Sequence, residues 1–152
     1  MGINRLKQLR ERIKSFDENL YGHVKEIIVE NEVYILNMNT QQQLYNKGIN
    51  TLGIDIFSYA PYADSTIRMK KRTGRPHDRV TLYQTGNYHE NFIIEAREDE
   101  FEIIPPEYPT KYWVGRYGKA SFGLTNDHIS KLKKEIVLPE LLKKLKQTIY
   151  GN

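Results

Sequence analysis

At 152 residues, 39% hydrophobic and 28% charged, the chain has the size and balance of one globular domain with a wetted surface. It contains no cysteine, which excludes a disulfide frame, a thiol nucleophile and a thiolate metal site, and fits a reducing cytoplasm. A net charge of +4 permits an acidic or nucleic-acid partner without demanding one, while a polar amino terminus and the lack of a transmembrane-length run point away from a signal peptide and a membrane.

Along the chain, Ile3, Leu6, Leu9, Ile13, Phe16 and Leu20 recur at steps of three and four, the stripe of an amphipathic helix. Gly22 marks a kink, and Val24, Ile27, Ile28, Ile35 and Met38 carry a similar stripe to about Asn39. "EIIVENEVYIL" is β-branched enough to rival a strand, but its period is closer to 3.6 than to 2. Thr40 with Gln43 resembles a capping box, giving a further turn through Tyr45 that Gly48 stops. Residues 1–47 are therefore read as a helical region.

Residues 48–125 read as a loop-rich β core. Gly48 to Pro61 is irregular, and a short helix is capped near Asp64 or Ser65 and ends at Gly74. A β-hairpin spans about 88–104, with strands 88–97 and 100–104 around Glu98-Asp99. Phe92 and Ile94 alternate with Ile93 and Glu95, and Phe101 and Ile103 with Glu102 and Ile104. Pro105, Pro106 and Pro109 stop the pairing. "KYWVGRYGKASFGLT" reads as a short strand and an ordered loop. Asn126 or Asp127 caps a C-terminal helical region, 126–150, in which Pro139 kinks the helix or begins a new segment. The fold class is α+β: N-terminal helices, a small antiparallel sheet and a C-terminal helix in a single domain over 1–152.

Candidate chemistry concentrates in one basic run. Arg68, Lys70, Lys71, Arg72, Arg75 and Arg79 are opposed there only by Asp78, and Tyr59, Tyr62 and Tyr83 flank them. Guanidinium and ammonium groups beside aromatics suit phosphate or acidic-protein contacts. A solvated helix face is the plainer alternative. Residues 95–107 reverse the charge, with Glu95, Glu98, Asp99, Glu100, Glu102 and Glu107 against Arg97 alone. The two patches either meet partners of complementary charge or neutralise each other within the molecule.

Other constellations carry less. His77, Asp78, His89 and Glu90 supply nitrogen and oxygen ligands, yet their spacing matches no metal motif. Ser58, Ser65 and Ser121 sit in no GxSxG elbow, and Gly115, Gly118 and Gly123 form neither GxGxxG nor a P-loop. No catalytic residue, metal site or cofactor is assigned, and an enzyme is not expected.

"LYNKGINTLG", "YAPYADSTIRMKKRTGRP" and "VTLYQTGNYHENFII" together resemble bacteriophage virion-morphogenesis proteins of the tail-completion, head–tail joining type. The resemblance covers roughly residues 44–125. It rests on Tyr59 and Pro61, on Thr66 and Lys70 at helical spacing, and on the corner Leu82, Thr85, Gly86, Tyr88 and Phe92. It departs from that pattern in the long amino-terminal helical region. The resemblance implies a non-enzymatic virion protein, assembled in the host bacterial cytoplasm as a homo-oligomeric connector ring against portal or tail proteins, with incidental DNA contact. The basic segment and the flanking tyrosines would then touch neighbours. The alternative is a nucleic-acid-binding module using residues 68–79.

Overall fold

The computed structural model describes residues 2–151 and is α+β, mostly helical, with one two-stranded antiparallel sheet. Helices α1 (Gly2–Glu18), α2 (Leu20–Glu30) and α3 (Glu32–Asn37) follow one another with single-residue breaks at Asn19 and Asn31. The first break therefore lies at Asn19, and Gly22 falls inside α2. A Cβ on Gly22 would stand 2.4 Å from the Asn19 Oδ1, so glycine leaves room for the side chain at the break. At the second break the Asn31 amide donates back to Ile27 O at 2.8 Å, an alternative to helix continuation that asparagine offers readily.

Helix α3 widens directly into a π-helical segment, Met38–Lys47. The expected capping box does not form there. Thr40 donates to Leu36 O at 2.9 Å within the continuing helix, and Gln43 turns inward to another part of the chain. Gly48 stops the segment in the left-handed conformation, φ 66°.

Beyond it, α4 (Ile56–Tyr59) is capped by the Asp55 carboxylate, which accepts from Phe57 N at 2.9 Å. Helix α5 spans Asp64–Arg72 without a side-chain cap, so Asp64 sits in its first turn and Gly74 follows its end. The hairpin is shorter than the alternation predicts. Asn87–Glu90 is a helical turn, α6, and its Tyr88 ring meets the Phe92 ring just beyond it edge to face at 5.1 Å. Strands β1 (Ile93–Ala96) and β2 (Phe101–Ile104) then pair with Ile94 opposite Ile103 and Glu95 opposite Glu102. Ile94, Ala96, Phe101 and Ile103 face the core, as the alternation requires.

"KYWVGRYGKASFGLT" departs most from expectation. Its first half lies in α7 (Glu107–Tyr117), not in a strand, and Gly118 (φ 81°) ends it. Aromatic content favoured a strand, but Thr110, Trp113, Val114 and Tyr117 fall at helical steps and turn one face inward. The final helical region is capped by Thr125, not by Asn126 or Asp127; its hydroxyl accepts from His128 N at 3.3 Å. Helix α8 (Asn126–Leu132), a π-turn (Lys133–Val137) and α9 (Leu138–Tyr150) continue without interruption. Pro139, which has no N–H to give, sits in the first turn of α9 just beyond the widened turn.

Two buried clusters organise these elements. One joins Ile28, Ile35, Met38, Phe92, Ile103, Leu124 and Leu132; the other joins Leu44, Ile56, Tyr62, Val80, Leu82 and Tyr117. Tyr88 and Phe122 pack against both.

Candidate binding site around Lys70

The basic run does not stay together. Arg68, Lys71 and Arg72 are exposed on α5, while Lys70, on the opposite face of the same helix, is only 4% exposed. Its ammonium donates to Tyr83 O at 2.9 Å and to Thr81 Oγ1 at 3.4 Å, and lies 4.9 Å from the centre of the Tyr62 ring. Both acceptors are neutral, and no carboxylate among the described residues reaches Lys70 within ion-pair distance. A buried cation without an anion is costly, which makes this the most unusual charge in the fold.

Thr81 is the hub that holds the surroundings in place. Its N–H donates to the Tyr62 hydroxyl at 2.9 Å, its hydroxyl accepts from Tyr83 N at 3.2 Å, and its carbonyl accepts from His89 Nε2 at 3.0 Å. Burial, opposed by the bond to Thr81 and aided by the charge of Lys70, pushes the His89 imidazole down to about 4. The ring is therefore neutral at pH 7, its one N–H sits on Nε2, and Nδ1 is a buried acceptor without a partner.

Above Lys70 opens a cavity of about 220 Å³ between α5, residues 82–84 and α7. Leu82, Tyr83 and Trp113 line it, and Arg116 brings a second cation. No aspartate or glutamate contributes to its lining. The Arg116 guanidinium lies 5.6 Å over the Tyr117 ring and donates to Pro61 O. Burial raises the Tyr117 hydroxyl, with Arg116 pulling the other way. Next to this cavity the Tyr88 hydroxyl donates to Thr110 at 2.5 Å, Thr110 donates on to Pro106 O at 2.6 Å, and burial carries Tyr88 up to about 12.

The remaining sequence candidates scatter. Tyr62 is buried in the second cluster, whereas Tyr59 is exposed and donates to Tyr117 O at 2.9 Å. Arg79 is half-buried, held by Tyr45 O at 2.8 Å and by Asp78 at 2.8 Å. Lys71, Arg75 and Arg79 share a second, shallow pocket with Tyr45 and His77. In the corner motif Leu82 is buried at φ 50°, Thr85 is exposed, Gly86 turns at φ 91°, and Tyr88 joins the two clusters beside a buried Phe92. His77 and His89 line different pockets, and no three histidine, aspartate or glutamate side chains among the described residues converge. Sequence reasoning missed Trp113 and Arg116; the helical step from Thr110 through Trp113 to Tyr117 was the signal that would have placed them.

The charge asymmetry has a definite structural form. Arg97 gathers its own hairpin's acids, with contacts to Glu95 at 3.3 Å, Glu100 at 3.0 Å and Glu102 at 3.9 Å. Within residues 68–79 the ion pair is Asp78 with Arg79. Among the described residues, no ion pair links the acidic and basic segments. Glu98 and Asp99, at the hairpin tip, are exposed and take part in no ion pair of the described set.

No family model matches the chain, and neither a curated protein nor a solved structure matches it.

Proposed function

We propose that the chain is a structural component of a bacteriophage head–tail connector or tail-completion assembly, working through protein–protein contacts in an oligomeric ring. The observation that carries this reading is α1. It runs for seventeen residues yet buries only Phe16. Its predicted apolar stripe stays outside, with Ile3 73% and Leu6 68% exposed. A lone helix of this length is marginal in water, and a stripe left open to solvent is the form expected of a helix awaiting a neighbour. Leu138, Leu142 and Tyr150 of α9, against which α1 packs, are exposed as well. The sequence resemblance over residues 44–125 supplies the class of assembly.

The test is to raise particles from a host carrying the gene, purify them, and locate the chain by mass spectrometry and electron microscopy. A symmetric ring at the neck is the expected result. Absence of the chain from intact particles removes the reading.

A second reading, a nucleic-acid contact, is favoured by the exposure of Arg68, Lys71 and Arg72 along α5. DNA titrated at two salt concentrations decides it. Phosphate-driven binding weakens steeply as salt rises, and no binding at low salt eliminates the contact.

A further inference from the structure

The Lys70 cavity combines four properties. Its floor is a buried ammonium whose two acceptors are neutral, and one of those bonds is long at 3.4 Å. Arg116 adds a second positive charge, and no acid lines the walls. Trp113, Tyr83 and Leu82 give it an apolar, partly aromatic surround. Its volume of about 220 Å³ admits a short side chain but not a large ligand. An ammonium has three N–H groups, so Lys70 keeps donor capacity beyond the two acceptors it reaches. An anion entering here would offset the cost of the buried charge, and a carboxylate on a short apolar stem fits the walls.

The same chain carries acids of this kind. Glu98 and Asp99 occupy the turn between β1 and β2, where both are exposed. Arg97 engages Glu95, Glu100 and Glu102 and leaves these two outside any ion pair of the described set. The hairpin is held by α2 and α3 and packs on the first cluster, whereas Tyr62, Leu82 and Tyr117 around the cavity belong to the second. No hairpin residue lines the cavity of its own chain.

We propose that the cavity between Lys70 and Arg116 receives a carboxylate from the Glu98-Asp99 hairpin tip of a second copy of this chain. The contact joins two different surfaces, so it is head-to-tail, and repeating it around a closed rotation builds a ring. This inference rests on the assembly reading given above and adds its joint. Opposite potentials on the two surfaces also fix which end meets which.

The chain's single tryptophan is Trp113, which lines the cavity and reports on it directly. The full chain is titrated with a synthetic peptide of residues 94–104, with the same peptide carrying Glu98→Gln and Asp99→Asn, and with sodium acetate. The acidic peptide is expected to shift Trp113 emission saturably, with the neutral peptide at least ten-fold weaker and acetate weaker still. A Lys70→Met chain is expected to lose the response at least ten-fold. Arg116→Gln, at an exposed position, weakens it several-fold and serves if the buried substitution disturbs folding. Equal responses to the two peptides, a silent Trp113, or acetate matching the peptide each overturn the proposal. The titration uses no particles: a negative titration with the chain present at the neck removes the joint alone. A positive titration with the chain absent from particles removes the assembly role alone.

Discussion

Gln43 and His128, 85 positions apart, share a hydrogen bond of 2.6 Å from the imidazole Nδ1 to the amide oxygen. The same oxygen accepts from Thr125 N at 2.9 Å, and the amide nitrogen donates to Gly123 O at 2.9 Å. One buried side chain thus clamps the loop before α8 to the π-helical segment. A wider helical turn places Gln43 and Asn39 on the same inward face, where Asn39 also donates to Gly123 O, at 2.8 Å. Burial and the nearby Lys47 and Lys131 lower the His128 pKa from its ordinary value. The ring's Nε2 lies 3.1 Å from the Gln42 Oε1.

Gln43→Leu keeps roughly the volume of the side chain but strands two buried donors, Thr125 N–H and His128 Nδ1–H. Each orphaned group costs about 1–3 kcal/mol, so a loss of about 3 kcal/mol is expected. Urea unfolding checks it: the midpoint falls while the slope is unchanged. A midpoint within error of the wild type would mean that the clamp contributes nothing.

Gly48 and Gly53 both adopt positive φ, 66° and 74°, but only one is crowded. A Cβ on Gly48 would meet the Arg79 Cβ at 2.7 Å, and Arg79 is fixed by its bond to Tyr45 O. Gly53 has open space around it. Gly53→Ala is expected to cost about 1 kcal/mol from backbone strain alone, and Gly48→Ala about 2–3 kcal/mol from strain plus the clash. Thermal unfolding of both variants separates the two contributions; equal shifts would remove the clash.

How far the sequence foretold this fold depends on where periodicity and local chemistry agreed. The helices to Met38 were legible because Ile27, Ile28, Ile35 and Met38 hold a helical step and all end up buried. The core-facing side of the hairpin was legible from strict alternation. Residues 107–117 were not, since tyrosine, tryptophan and valine favour strands locally while tertiary packing of Thr110, Trp113 and Tyr117 selects a helix. The site was legible only as composition. Six cations in one run gave no hint that Lys70 alone turns inward, because its burial depends on Thr81 and Tyr83, contributed by a loop more than ten residues away.

Stability should fall below neutral pH because of His89. Its folded pKa is about 4 against an ordinary value of 6.5, so between those values the unfolded chain binds a proton that the folded chain refuses. The contribution is neutral above pH 6.5 and becomes a penalty of about 3 kcal/mol as pH falls to 4. His128 shifts in the same direction and adds to the slope. His89→Gln retains an N–H for Thr81 O and removes one titration. The loss of stability between pH 7 and 4.5, measured by urea unfolding, is therefore expected to shrink in the variant; an unchanged loss would assign the pH dependence elsewhere.

The start of α8 offers a direct check of its cap. Thr125→Ala removes the hydroxyl that accepts from His128 N and is expected to cost about 1 kcal/mol. Asn126→Ala, at an exposed position one residue inside the helix, is expected to stay within about 0.5 kcal/mol of the wild type. The reverse ranking in chemical denaturation would restore Asn126 as the cap.

The uncovered stripe of α1 separates folding from assembly. Phe16 is buried and stacks on His23 at 4.6 Å, so Phe16→Ala is expected to cost about 3 kcal/mol and to loosen the helix from the body. Ile3→Gln with Leu6→Gln alters only exposed side chains, and in the isolated chain it should leave the unfolding midpoint unchanged. If those two residues exist to meet a neighbour, the double variant folds normally but no longer enters the assembled particle. Particle incorporation is measured against the soluble pool by quantitative mass spectrometry. Incorporation at the wild-type level would show that the exposed stripe is not the surface by which the chain is held.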